Sequence, residues 1–186
     1  MEILTAIKRV PETGAKVNLT EDKQDIDTTS LGFTTSPHEE CAVEGSVQLV
    51  EEHGGTVTAL TMGTEEGTEQ LRSAIAMGAD DGILLETDGD KRGPTATAKA
   101  IADQVDDADA AFDLLVFGNE SADAANHHVG VRVAEELGLP VVTGIKDLEL
   151  DGDTLVAKRE IPGGSEVYEV DLPAVVTVKE GLNDPR

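Results

Sequence analysis

The chain has 186 residues, with 38 acidic against 14 basic side chains for a formal charge of −24, one cysteine and 2% aromatic residues. That length suffices for one domain with a proper core. The lone Cys41 excludes an internal disulfide and any multi-cysteine metal site, and it reads as a small buried hydrophobe. The first strand candidate is Ile3-Leu4-Thr5-Ala6-Ile7, and a small hairpin follows, Val17-Asn18-Leu19 and Asp25-Ile26-Asp27 turning at Glu21-Asp22-Lys23. Helix Pro37 to Glu52 carries Cys41, Val43, Val47 and Val50 at helical spacing. The strand Thr56 to Met62 comes next, then helix Glu65 to Met77 with Leu71, Ala74 and Ile75, then the strand Gly82 to Leu85. Helix Thr95 to Val105, strand Phe112 to Phe117 and helix Ala122 to Leu137 complete the alternation, and Val141-Val142 and Ala174 to Val178 are the last core strand candidates.

The strand runs are apolar on consecutive residues, as strands covered on both faces tend to be. Alternation with helices predicts an α/β fold, a three-layer parallel sheet with helices on both faces, Rossmann-like in class. After Pro140 the pattern shortens: Leu148 to Leu150, Leu155 to Ile161 and Glu166 to Val170 alternate, with turns at Asp151-Gly152-Asp153 and Pro162-Gly163-Gly164. Residues 139–186 are therefore expected to form an antiparallel extension of a single domain spanning 1–186.

The acidic residues are dispersed along the chain rather than gathered in a tail, as an acidic skin on a folded core would be. Such a surface repels itself in dilute salt and is screened in molar salt, so a halophile's cytoplasm is the simplest home, with an ordinary acidic protein as the alternative. The same field disfavours nucleic acid and anionic membranes. No run approaches the about 20 apolar residues needed to span a bilayer, and Met1 to Lys8 lacks the features of a leader, so the expected location is cytoplasmic.

The common nucleotide motifs are missing: there is no GxGxxG and no Gly-Lys-Ser/Thr. A phosphate site would have to use bare helix N-termini, and two segments stand out. Ser36-Pro37-His38-Glu39 has an N-cap serine, proline at N1 and Glu39 at N3, a capping box that reads either as helix punctuation or as part of a site. Gly118 to Gly130 follows a strand and is crowded with small and polar residues; it reads either as a polar turn or as a phosphate loop beyond a strand's carboxyl end. Lys8 and Arg9 end the first strand on the same side and are either a solvated strand end or ligand partners. His127 and His128 are neighbours, so they do not form a metal-binding face, and a solvated or capping role suits them. No catalytic constellation and no metal site is expected: there is no Gly-x-Ser-x-Gly elbow and no activated cysteine.

Several segments together resemble the β subunit of electron-transferring flavoproteins. They are Lys8-Arg9-Val10-Pro11, Ser36 to Glu44, Ala74 to Asp80, Gly118 to Gly130, Arg159 to Gly164 and Leu172 to Val178, in unbroken order from Met1 to Arg186. The resemblance implies an adenine nucleotide α-hydrolase-like domain that pairs with an α subunit. It implies AMP bound structurally by this chain and FAD held mainly on α. Carried over residue by residue, the nucleotide contacts would be Ala6, Ser36, Pro37, His38, Glu39 and Met62. The loop would add Gly118, Asn119, Glu120, Ser121, Ala122, Asp123, Ala124, Ala125, Asn126, His127, His128 and Val129.

The family residue at His38 is often aromatic and lies near the flavin, and histidine departs from that. The implied partners are acyl-CoA or similar dehydrogenases and a quinone oxidoreductase, with this chain an electron carrier subunit. Family β subunits continue past Asn183-Asp184-Pro185-Arg186 into a recognition loop and an arm, where this sequence stops. The rival readings are a stress-protein-like ATP/AMP-binding module without a redox role, and a β subunit carrying a second FAD for electron bifurcation. An adenylating pyrophosphatase would need a Ser-Gly-Gly loop after the first strand, where Arg9-Val10-Pro11-Glu12 stands.

Overall fold

Runs of apolar residues too short for helices pair into one sheet, and the longer amphipathic stretches pack on its two sides. The computed structural model describes residues 1–12, 14–90, 92–108 and 111–186. The main elements in chain order begin with β1 (Glu2–Ala6), β2 (Arg9–Pro11), β3 (Asn18–Leu19), β4 (Ile26–Asp27), β5 (Phe33–Thr35) and α1 (Pro37–His53). They continue with β6 (Thr56–Gly63), α2 (Thr68–Ala76), β7 (Asp81–Glu86), α3 (Pro94–Asp106), β8 (Leu114–Gly118) and α4 (Val129–Leu137). The last are β9 (Val141–Asp151), β10 (Thr154–Ile161), β11 (Gly164–Asp171) and β12 (Ala174–Val178).

The main sheet has 8 strands in the order β11-β10-β9-β12-β8-β1-β6-β7. From β9 to β7 every pairing is parallel, and β9, β10 and β11 form the antiparallel meander. Alternate strand residues feed two cores. Ile3, Val57, Ala59, Leu114, Val116 and Val176 pack with Val43 and Val47 of α1 and Leu71 of α2. On the other face Leu4, Ala6, Leu60, Leu115, Phe117 and Val175 pack with Ala98 and Ile101 of α3 and Val133 of α4. The result is the expected three layers, and the period-2 alternation of a strand is what divides its residues between them. Cys41 is buried, as expected.

Three local expectations need correction. The last core helix begins at Val129 rather than Ala122, and residues 119–128 are loop. Val141-Val142 and Leu148 to Leu150 belong to one strand of 11 residues, not two. Its first part lies parallel to β12 and its second part antiparallel to β10, with a register shift on both sides and Gly144 at φ 73. Glycine accommodates that left-handed backbone without steric cost. Thirdly, β2 pairs with β5 in a ribbon of its own, which the sequence pattern did not announce.

Candidate nucleotide site

The strand order reverses its direction of growth between β1 and β8, and the carboxyl ends of those two strands define the crevice where ligands gather in open α/β sheets. Ala6 lies between Leu60 of β6 and Phe117 of β8 in register. Met62 is two residues further along β6, and a side chain added at its neighbour Gly63 would meet nothing within 4 Å. The edge at Ala6, Met62 and Gly63 is therefore a low backbone platform with open space above Gly63.

The Ser36 to Glu39 turn meets this edge through Gly118. A Cβ at Gly118 would sit 2.6 Å from Glu39 Cγ, 3.1 Å from Glu39 N and 3.2 Å from His38 Cβ, so only glycine allows the approach. The capping box forms as expected, with the carboxylate accepting from the Ser36 N–H at 3.1 Å and the Ser36 hydroxyl at 2.6 Å. Glu39 is 6% exposed. Burial pushes its carboxyl up to about 7, and the Ser36 donors and nearby Lys8 offset only part of that.

Beyond Gly118 a chain of hydrogen bonds fixes Asn119, His127 and Glu120 in the loop. The Gly144 N–H donates to Thr177 Oγ1 at 3.1 Å, and the Thr177 hydroxyl donates to Asn119 Oδ1 at 2.8 Å. The Asn119 amide nitrogen then donates to His127 Nδ1 at 2.9 Å, which leaves His127 Nε2–H to face Glu120 at 2.7 Å. From the other side, the Glu180 N–H donates to His38 Nδ1 at 3.2 Å, so His38 also turns Nε2–H toward Glu120, at 3.7 Å. Glu120 is thus the meeting point of the loop and α1.

Lys8 ties the loop to β1. Its ammonium lies 2.7 Å from Asp123 and 3.5 Å from Ser121 Oγ. Burial works against the Asp123 charge, but Lys8 and Ser121 outweigh it and hold the carboxyl below its ordinary value. Arg9 does not join the site: its guanidinium stacks 3.5 Å over the Phe33 ring. Ala125 (φ 48) and His127 (φ 55) adopt left-handed backbone, which costs non-glycine residues roughly 1–2 kcal/mol each. Such strain persists where surrounding contacts over-determine the shape.

The structure therefore brings together His38, Glu39, Gly118, Asn119, Glu120, Ser121, Asp123 and His127, with Lys8 beside them and Ala6 and Met62 along the same sheet edge. Ser36 and Pro37 open α1 next to Gly118, and His128 with Val129 starts α4. Ala122, Ala124, Ala125 and Asn126 are exposed in the loop. Sequence reasoning missed Thr177, whose signal was a hydroxyl in the otherwise apolar run Ala174 to Val178, and Glu180, which acts through its backbone and left no signal. A partly open cavity of about 120 Å³ lined by Ile7, Thr35, Glu40, Gln70 and Met77, among others, shares no residue with this site. Among the described residues no cluster of His, Cys, Asp or Glu could hold a metal ion.

The sequence pattern of the electron transfer flavoprotein domain matches residues 25–186. The chain is 35% identical over 188 residues to the electron transfer flavoprotein subunit beta of Bacillus subtilis, covering 100% of this chain and 72% of that one. It is 33% identical over 187 residues to the corresponding subunit of Thermoanaerobacterium thermosaccharolyticum, covering 100% and 71%. With the subunit of Mycobacterium tuberculosis the identity is 34% over 190 residues, covering 99% and 71%.

Proposed function

The chain belongs to the electron transfer flavoprotein family as a β subunit, and on that footing we propose that it holds AMP at the carboxyl edge of its sheet and, with an α subunit, completes the seat of a FAD. Membership makes it a flavin-associated electron-transfer subunit that pairs with an α subunit. In this reading the FAD lies mainly on α and, when bound, supplies the redox chemistry, while the protein supplies position and electrostatics. Electrons arrive from acyl-CoA or similar dehydrogenases and leave to a quinone oxidoreductase, and the chain has no reaction of its own. No helix among the described residues is long and apolar enough to cross a membrane.

The observation that carries the reading is the close approach of Gly118 to the first turn of α1, which joins both candidate segments into one site. A nucleotide fits what is present. The platform of Ala6, Met62 and Gly63 leaves room for a flat base, and Ser121, Lys8 and the loop N–H groups are donors for a phosphate. AMP suits the site better than a second FAD. An isoalloxazine ring wants aromatic cover, but Phe117 is buried, Phe112 packs against the core, Phe33 lies under Arg9, and Tyr168 is bonded to Arg159 and Glu166.

The test is to purify the chain with its α subunit, release bound small molecules by denaturation and weigh them. AMP at one per β chain is expected, and it should be lost in Gly118→Val. FAD at two per heterodimer, with no AMP, would overturn the assignment.

A further inference from the structure

The loop that would receive the phosphate carries more negative than positive charge. Among the described residues Lys8 is the one lysine paired in this cluster, with Asp123, while Glu39 lies beside it and the imidazoles of His38 and His127 turn Nε2 toward Glu120. A nucleoside monophosphate adds between one and two further negative charges near neutral pH. Like charges brought together raise the free energy of the ionised state, and the group with the weakest claim to its charge yields first.

The three carboxylates differ in that claim. Asp123 is in contact with the Lys8 ammonium at 2.7 Å. Glu120 accepts from His127 at 2.7 Å and faces His38 at 3.7 Å. Glu39 has neither support. It is 6% exposed and its two hydrogen-bond donors both come from the neutral Ser36. Among the described residues it has no ion-pair partner; Lys8 acts on it only at a distance, and Asp123 opposes Lys8 there. Its side chain lies against Gly118, the last residue of β8 before the loop. The charged groups that act on it are Lys8 and Asp123, and His38 and Glu40 flank it on its own helix.

We infer that binding of the nucleotide phosphate draws a proton from solvent onto Glu39, so that ligand and proton are taken up together; this rests on the loop being the phosphate site. The neutral carboxyl removes one charge from beneath the loop, and its carbonyl oxygen can still accept from Ser36. Burial already pushes this group to about 7, so the uptake falls in the neutral range. The sign of the linkage follows. Affinity is full while Glu39 is already protonated in the free protein, and it declines as pH rises through 7 and the proton must be drawn from an ever more dilute supply.

The experiment is the affinity of the nucleotide-free full chain for AMP between pH 7 and 8.5. In that range the AMP phosphate has largely completed its own ionisation. The dissociation constant of wild type should weaken toward tenfold per pH unit, and that of Glu39→Gln should stay flat. Infrared difference spectra of wild type give a readout that needs no variant: AMP should raise a protonated-carboxyl C=O band that adenosine does not. A flat wild-type profile, a slope that survives in Glu39→Gln, or the same band with adenosine overturns the inference while AMP binding itself stands. Failure of both proteins to bind AMP at any pH overturns the phosphate-site reading and this inference with it.

Discussion

Glu39 also sets a stability dependence that needs no ligand. Its carboxyl is raised from 4.5 to about 7 in the folded chain. Below 4.5 both states are protonated and nothing is lost. Between the two values the unfolded chain releases a proton that the folded chain keeps, so stability falls as pH rises and the loss is complete above about 7. A shift of this size corresponds to about 3 kcal/mol. Glu39→Gln keeps an acceptor for Ser36 and drops the charge, so at pH 8 it should resist urea better than wild type by about 2 kcal/mol, with the two converging near pH 5. A variant weaker than wild type at both values would mean that the charged form is well satisfied.

Thr177 is the second residue with consequences beyond its size. Thr177→Val preserves the shape but strips the partner from the buried Gly144 N–H, at a cost of about 1–3 kcal/mol, and from the half-buried Asn119 Oδ1, which water can reach more easily. Urea titration should register that loss, and AMP affinity should fall because Asn119 no longer holds His127. At Ala125 the sign reverses. Glycine relieves the left-handed strain but loosens the unfolded chain, so Ala125→Gly should be neutral to slightly stabilising.

Among elements, α1 is held along its length by the segment that follows β12. Besides the Glu180 bond to His38, Asn183 donates to the Cys41 carbonyl at 3.0 Å, and Leu182 lies against Gly45. The Arg186 guanidinium reaches Glu44 at 2.9 Å and Glu51 at 2.6 Å. Glu44 is 2% exposed and its carboxyl is held low chiefly by the bond from Arg186. Arg186→Ala leaves that carboxylate buried without its cation. Because the arginine itself is partly solvated, the cost should be below that of a fully buried pair. Hydrogen exchange should show the second half of α1, from Glu44 to Glu51, opening more often in the variant.

The core strands were legible because their apolar runs exceed what a half-exposed strand needs, and α1 because its cap and period agree. The ribbon of β2 and β5 was not: three residues a side, with Pro11 among them, carry no periodic signal. The start of α4 was misplaced because Ala122 to Asn126 suits a helix on propensity alone. In the folded chain Lys8 claims Asp123 from far along the sequence and Asn119 claims His127 across the loop, and those bonds override a preference worth tenths of a kcal/mol per residue. The two segments of the site could each be singled out from the sequence, but their contact at Gly118 depends on the sheet order and could not.

At the scale of the molecule, a formal charge of −24 is spread over a chain whose ion pairs are mostly at the surface. Repulsion between exposed carboxylates reaches over about 10 Å in 0.1 M salt and about 3 Å in 1 M. The denaturation midpoint is therefore expected to rise steadily from 0.1 M to 2 M potassium chloride, and a midpoint that is flat or falls would exclude an adaptation to salt. The sheet order imposes a schedule as well. The strand β12 comes after every other strand of the main sheet, yet it lies between β8 and β9. As the chain leaves the ribosome, the meander of β9, β10 and β11 can pair locally and early, while β8 waits with one apolar edge bare. Only the arrival of Ala174 to Val178 welds the two halves, and the same strand delivers Thr177 to Asn119. The nucleotide loop thus receives its mould only when β12 arrives, and a chain stalled before β12 would present two sticky half-sheets and an unformed loop.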